Sequence, residues 1–237
     1  MTKISKILNI AGVASVAALS VPALLTGTPL GSSYAYLTDI GETQVNKCTI
    51  ALDPSAKVVE YFPTFTKNEI KGTVYHFRKG VQIFNDGYVD AYVRARVDFT
   101  DSDIKDSTTF SWDGKNFYSF DEFCNHVEEN GWHYCAADGY FYYKTSINAG
   151  DYEKFQQNMT KNEETKVFNW NKESSLGTTE IGGVTIATKP LIQYVETSFP
   201  EPGKMRNYTI EVSQDAVASY LGDDYASAWK AVLGYDI

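Results

Sequence analysis

Histidine and cysteine are scarce in this 237-residue chain, three of each, and proline occurs only seven times. His76, His126 and His133 form no H-E-x-x-H pair, in which two imidazoles one helical turn apart hold zinc beside a glutamate base. His126 with Glu129 or His133 is the one grouping with ligand chemistry, and histidines this scattered are more often surface or structural residues. No metal is expected. G-x-S-x-G, Walker and G-x-G-x-x-G signatures are missing, which removes the elbow serine and the phosphate cradle. No catalytic residue and no cofactor are assigned. Positive charge is also short: 21 Lys and Arg face 30 Asp and Glu, a net charge of −9. That balance argues against nucleic acid and against anionic lipid as partners.

Long apolar runs are missing too, except at the start. Ile7 to Leu25 approaches the ~20 residues a spanning helix needs, and nothing later does. Lys3 and Lys6 precede this stretch and Pro22 interrupts it. Ser33 and Ala35 stand at the −3 and −1 positions of a cut before Tyr36. A positive start, a short apolar core and a small-x-small site are the requirements of an export signal. The alternative, a retained anchor, is disfavoured by Asn9, Gly12, Ser15 and Ser20 within the run. The expected organisation is a helical signal peptide over 1–35 and one secreted domain over 36–237. Membrane contact is then limited to the signal before signal peptidase acts. The first 35 residues hold two lysines and no acid, so the remainder carries 19 basic against 30 acidic side chains, a net charge of −11.

Cys124 and Cys135 enclose the segment CNHVEENGWHYC in a chain read as extracellular, where disulfides persist. They are a candidate disulfide, left open because sequence does not supply the Cα separation a bridge demands. Cys48 would then be the odd thiol. If unbridged, a cysteine beside His126 and His133 also invites a Cys–His nucleophile reading.

The remainder is rich in tyrosine and phenylalanine, 17 and 13 residues. Ala91, Val93, Ala95, Val97 and Phe99 alternate with Tyr92, Arg94, Arg96 and Asp98, the period of a strand with one buried face. Arg94, Arg96 and Asp98 are either a carboxylate-recognising face or an ordinary solvated one. Further strands are predicted over 73–77, 81–83, 139–145, 184–187, 191–196 and 208–212, separated by turns such as NDG, WDGKN and IGG. Ser119 with Glu122 reads as a capping box opening a helix over 119–129. Asp223 and Asp224 open a second helix, with Tyr225, Ala228, Trp229 and Val232 as its stripe and Gly234 as its stop. The polar stretch 158–177 reads as a long loop. The pattern is mainly β, an antiparallel sandwich with one or two short helices.

The start SSYAYLTDIGETQVNKCTIA resembles exported proteins handled by SipW-type signal peptidases, the family of TasA-like and camelysin-like matrix and surface proteins of Gram-positive bacteria. Tyr34 to Asp39, then Asn46 to Ala51, carry the likeness, with departures at Cys48 and Ala51. FNDGYVDAYVRARV, DGYFYYKTSINAGD and IEVSQDAVAS…ASAWKAV are similar to a clostridial-type branch. The resemblance implies a jelly-roll-like sandwich and a role in the extracellular biofilm matrix or cell surface, with self-association or related matrix proteins as partners. Camelysin-type peptidase activity has no matching ligand set here and is not carried over.

After cleavage the segment 36–50 is a candidate mobile N-terminal strand, with Tyr36, Leu37 and Ile50 as its strand-capable residues. The expectation is a secreted, non-enzymatic structural protein assembling into fibres by donating that strand. The alternatives are a monomeric adhesin or ligand-binding sandwich, in which Tyr118, Tyr140 and Tyr142 would stack on sugars, and a zinc-dependent secreted peptidase.

Overall fold

The computed structural model describes residues 54–63, 70–150, 156–163 and 168–237. In chain order the strands are β1 (Ala56–Tyr61), β2 (Ile70–Lys71), β3 (Val74–Asn85), β4 (Ala91–Phe99), β5 (Thr108–Ser111), β6 (Tyr118–Ser119), β7 (Trp132–Cys135) and β8 (Tyr140–Tyr143). They continue as β9 (Met159–Lys161), β10 (Phe168–Trp170), β11 (Glu180–Ile181), β12 (Val184–Thr185), β13 (Ile192–Ser198) and β14 (Ile210–Ala218). Among the described residues three α-helices accompany them: α1 (Ser102–Asp106), α2 (Phe120–His126) and α3 (Tyr225–Leu233). Among the described residues no helix is long and apolar enough to cross a membrane.

The protein is mainly β, with two principal sheets around one core. The larger runs β6-β5-β13-β3-β1-β10-β9 with β2 added to β3; the smaller runs β14-β4-β8-β7. Among the described residues all strand pairs are antiparallel except β1 with β10, a departure from the expected antiparallel arrangement. In β4 the inward set is as read, but the outward face is wet only at Arg96 and Asp98, because Tyr92 and Arg94 are buried. Val93, Ala95 and Val97 face the larger sheet and meet Val81 and Ile83 of β3, Val58 of β1 and Phe110 of β5 in the shared core. Each such side chain, taken wholly out of water, contributes roughly 1.5–3 kcal/mol.

A second cluster lies on the other face of the larger sheet. There Val59 and Phe84 are covered by Ile186, Ala187, Met159, Phe168 and Trp170. Buried Gln82 fastens this cover to β3. Its Nε2 donates to the Thr188 carbonyl at 2.8 Å and the Thr178 carbonyl at 3.2 Å, while its Oε1 accepts from Gly177 N at 2.8 Å. Burying an amide costs little only when its polar groups have partners, and here both N–H donors and the carbonyl oxygen do. The stretch expected as a long loop over 158–177 thus contains β9, β10 and a 3₁₀ turn, because Met159, Phe168 and Trp170 have this apolar face to cover.

Both predicted helices form with the expected ends. Ser119 and Glu122 make a reciprocal capping box on α2, whose Phe120, Phe123 and Cys124 are buried. The helix is shorter than expected, since Val127–Asn130 tightens to 3₁₀ and ends at Gly131, which takes φ 87°. Asp224 caps α3 and Gly234 stops it at φ 80°. Ala228 and Trp229 of its stripe are buried, whereas Val232 is exposed.

The β5–β6 connection is organised by Asp113. Its Oδ1 accepts from Lys115 N at 2.8 Å, Ser111 Oγ at 2.9 Å and Asn116 N at 3.0 Å, and its Oδ2 from Asn116 Nδ2 at 3.0 Å. Partial burial pushes the carboxyl up, but these bonds outweigh it and hold it at about 2. The folded value lies below the unfolded value of about 3.9. The loop's contribution to stability is therefore present above that value and lost as pH falls through about 2. An NMR titration should show the Lys115 and Asn116 amides moving together near that pH. A midpoint near 4 would contradict the bonding.

Candidate functional site: an open edge strand and an aromatic pocket

The smaller sheet ends in β14, nine residues paired along their full length with β4, from Ile210 opposite Phe99 to Ala218 opposite Ala91. Among the described residues β4 is its only strand partner. Its inward side chains, including Val212 and Ala216, pack on the shared core. Gln214 reaches the larger sheet, donating from Nε2 to the Ala56 carbonyl at 3.2 Å. Among the described residues no strand pairs with the far edge of β14, and an edge without a partner offers backbone N–H and C=O groups to a further strand. Lysine, proline and a bulge are the usual devices that blunt such an edge, and the run IEVSQDAVA contains no Lys or Pro and pairs in unbroken register.

A cavity of about 410 Å³ opens where β14 begins. It exists because β1 stops at Tyr61, opposite Gly80, while β3 continues back to Val74. Phe62, Tyr75, Phe77, Tyr208 and Ile210 give it aromatic and aliphatic walls, and Lys79 joins them. Lys79 is buried and does not serve as a free cation. Its Nζ lies 2.7 Å from Glu60 Oε1 and 5.7 Å from the Phe62 ring centre. The Tyr208 hydroxyl meets Thr197 Oγ1 at 2.7 Å, and burial pushes its phenol up to about 12, so it stays neutral in ordinary buffers.

The outward face of β4 does not form a carboxylate-recognition site at Arg94. That guanidinium is buried and already paired, with Nε 2.9 Å from Asp215 Oδ2, Nη1 3.1 Å from the Tyr142 hydroxyl and 3.6 Å from Asp138 Oδ2. Tyr140 and Trp229 cover it at 3.8 and 4.7 Å from their ring centres. Tyr142 donates to Asp138 at 2.5 Å and Tyr235 does so at 3.0 Å. The cluster binds α3 and the C-terminal tail to the sheet. Arg96, by contrast, is exposed and takes Asp98 at 3.0 Å. The tyrosines considered as sugar platforms are also engaged. Tyr142 is fully buried, Tyr140 lies on Arg94, and Tyr118 is stacked between Trp112 at 5.4 Å and His126 at 4.6 Å.

The histidines are spread over separate places, each beside its own glutamate: His76 with Glu196, His126 with Glu129, His133 with Glu128. Among the described residues no three His, Cys, Asp or Glu side chains converge as a metal site.

Cys124 and Cys135, left open as a candidate disulfide, are both free buried thiols in the structure. The reason is the pleat. Cys124 bonds to Tyr134, which packs on the shared core, while Cys135, the next residue along β7, points to the opposite face of the sheet. Burial, reinforced by Asp121, pushes the Cys124 thiol up to about 12, which removes the thiolate a nucleophile needs. Native protein should leave both cysteines unalkylated by iodoacetamide at pH 8 and expose them only on unfolding. Rapid native alkylation of Cys124 would contradict this burial.

Ser33, Ala35, Tyr36, Leu37, Cys48 and Ile50 lie outside the described residues. Sequence reasoning placed a strand over 208–212 without seeing that it continues to Ala218 as an edge, and it missed the pocket. The unbroken β-compatible run from Ile210 to Ala218 was the available signal for the first. No family model matches the chain, and no curated protein matches it.

Proposed function

We propose that this chain is an exported, non-enzymatic structural protein of the bacterial cell surface or biofilm matrix. It would be a jelly-roll-like sandwich whose leading segment, released at Tyr36, adds as a strand to a second copy. The edge of β14 that no strand among the described residues pairs with carries the proposal. A nine-residue edge beside an aromatic pocket offers a visiting strand both backbone bonds and a place for apolar side chains such as Tyr36 or Leu37. Contacts that use different surfaces on the two partners do not close on themselves, so they extend into filaments. While the signal remains attached the segment is held at the membrane, and cleavage releases it.

The test compares residues 36–237 with residues 51–237 by electron microscopy at matched concentration. The longer chain is expected to form filaments and the shorter one to stay dispersed. Equal assembly by both would refute strand donation. The pocket favours a second reading, a monomeric sandwich that binds a small apolar ligand, because its volume falls within the roughly 300–1,000 Å³ of small-molecule sites. Ligand-induced thermal stabilisation without assembly would select that second reading.

A further inference from the structure

The two poles of the body differ, and strand direction decides which pole meets which once a leader is donated. β14 runs from the pocket pole, at Ile210, to the opposite pole, at Ala218. There Ser219 N donates to the Asp90 carbonyl at 2.8 Å, beside the turn that joins β3 to β4. The N-terminal segment reaches the body at this same turn pole, because Asp86 N donates to the Ser55 carbonyl at 3.2 Å. Residues 36–53 can extend at most about 60 Å, and covering nine residues of β14 takes about 30 Å, so enough chain remains to connect two bodies.

A leader pairing antiparallel with β14 of another copy must run from that copy's turn pole to its pocket pole. Its own body then lies beyond the pocket, turn pole first. Parallel pairing would instead set turn pole against turn pole, and two copies exchanging leaders would close into a dimer. Antiparallel ladders are the more stable per residue, and only that direction propagates.

The surfaces brought together are the exposed apolar ones. At the turn pole Tyr88 is 81 % exposed, Tyr220 63 % and Leu221 42 %; at the pocket mouth Phe62 is 51 % exposed. Exposed apolar side chains whose segments the Ser219–Asp90 bond brings to one pole offer a contact surface. The two cations that line the pocket are already occupied, Arg206 by Asp101 and Asp103 and Lys79 by Glu60. The contact at the pocket mouth is therefore mainly apolar.

Resting on the strand-donation reading, we propose that the Tyr88–Tyr220–Leu221 patch of one copy seats on the Phe62 pocket pole of the next, as a head-to-tail contact separate from the backbone ladder.

The experiment places p-benzoylphenylalanine at position 88 of residues 36–237, assembles the protein, irradiates it and maps cross-linked peptides by mass spectrometry. Cross-links from position 88 of one copy to the segment around Phe62, or to 204–210, of a neighbour are expected. Filaments that cross-link turn pole to turn pole, or that give no intermolecular product, overturn the contact while leaving strand donation standing. Failure of the unlabelled chain to assemble overturns both. In a second arm, Tyr88→Asp with Leu221→Asp, both at exposed positions, should raise the critical concentration for assembly about tenfold without altering monomer melting. An unchanged critical concentration counts against the contact.

Discussion

Replacing Arg94 with alanine is expected to lower the unfolding free energy by about 3–5 kcal/mol, the usual consequence of removing one partner from a buried charge pair. The side chain neutralises Asp215 and Asp138 and is roofed by Tyr140 and Trp229. Without it, two carboxylates remain in a place that water reaches poorly, and α3 loses what holds Trp229 and Tyr235 to the sheet. Removing Asp215 as well should return part of the loss, since one stranded charge goes with it. Urea melts of the two variants measure both effects. A loss below about 1 kcal/mol for Arg94→Ala would place the cluster among solvated surface pairs and contradict its burial.

Phe110→Ala is expected to cost a similar amount, about 3–5 kcal/mol, by a different mechanism. Phe110 is fully buried on β5, between the rings of Phe123 at 5.6 Å, Phe99 at 5.8 Å and Phe120 at 6.0 Å. Those rings come from β4 and α2, so no single neighbour can swing in to fill the space. The melting temperature should fall by on the order of 10 °C for a domain of this size. A shift under about 3 °C would mean that the helix repacks freely against the sheet. Unlike Arg94→Ala, this loss should not be eased by any acid-to-neutral substitution.

What was legible in the sequence is local. Ala91 to Phe99 announced its buried face by period two, and the neighbours it found on β14 and β8 kept that face. Ser119 with Glu122, and Asp224 with Gly234, marked helix ends because capping is settled within a few residues. What stayed hidden depends on distant partners. Val74–Asn85 is one continuous strand, although Gly80 and the polar residues around it divided it into two in sequence. Arg94 looked solvated because nothing nearby along the chain shows that Trp229 will cover it. The cysteine pair stayed open for the same reason, since a spacing compatible with a bridge says nothing about which face each thiol takes. The open edge of β14 is the extreme case, because whether a strand has one neighbour or two is a property of the whole sheet.

That edge is where the functional account is most exposed to test. Hydrogen exchange on the chain 36–237 should show the backbone amides of Glu211 to Val217 on the edge facing away from β4 exchanging rapidly in dilute monomer. They should become strongly protected in assembled material, while β4 amides stay protected in both. Assembled protein in which those β14 amides exchange as fast as in the monomer would contradict strand addition at this edge.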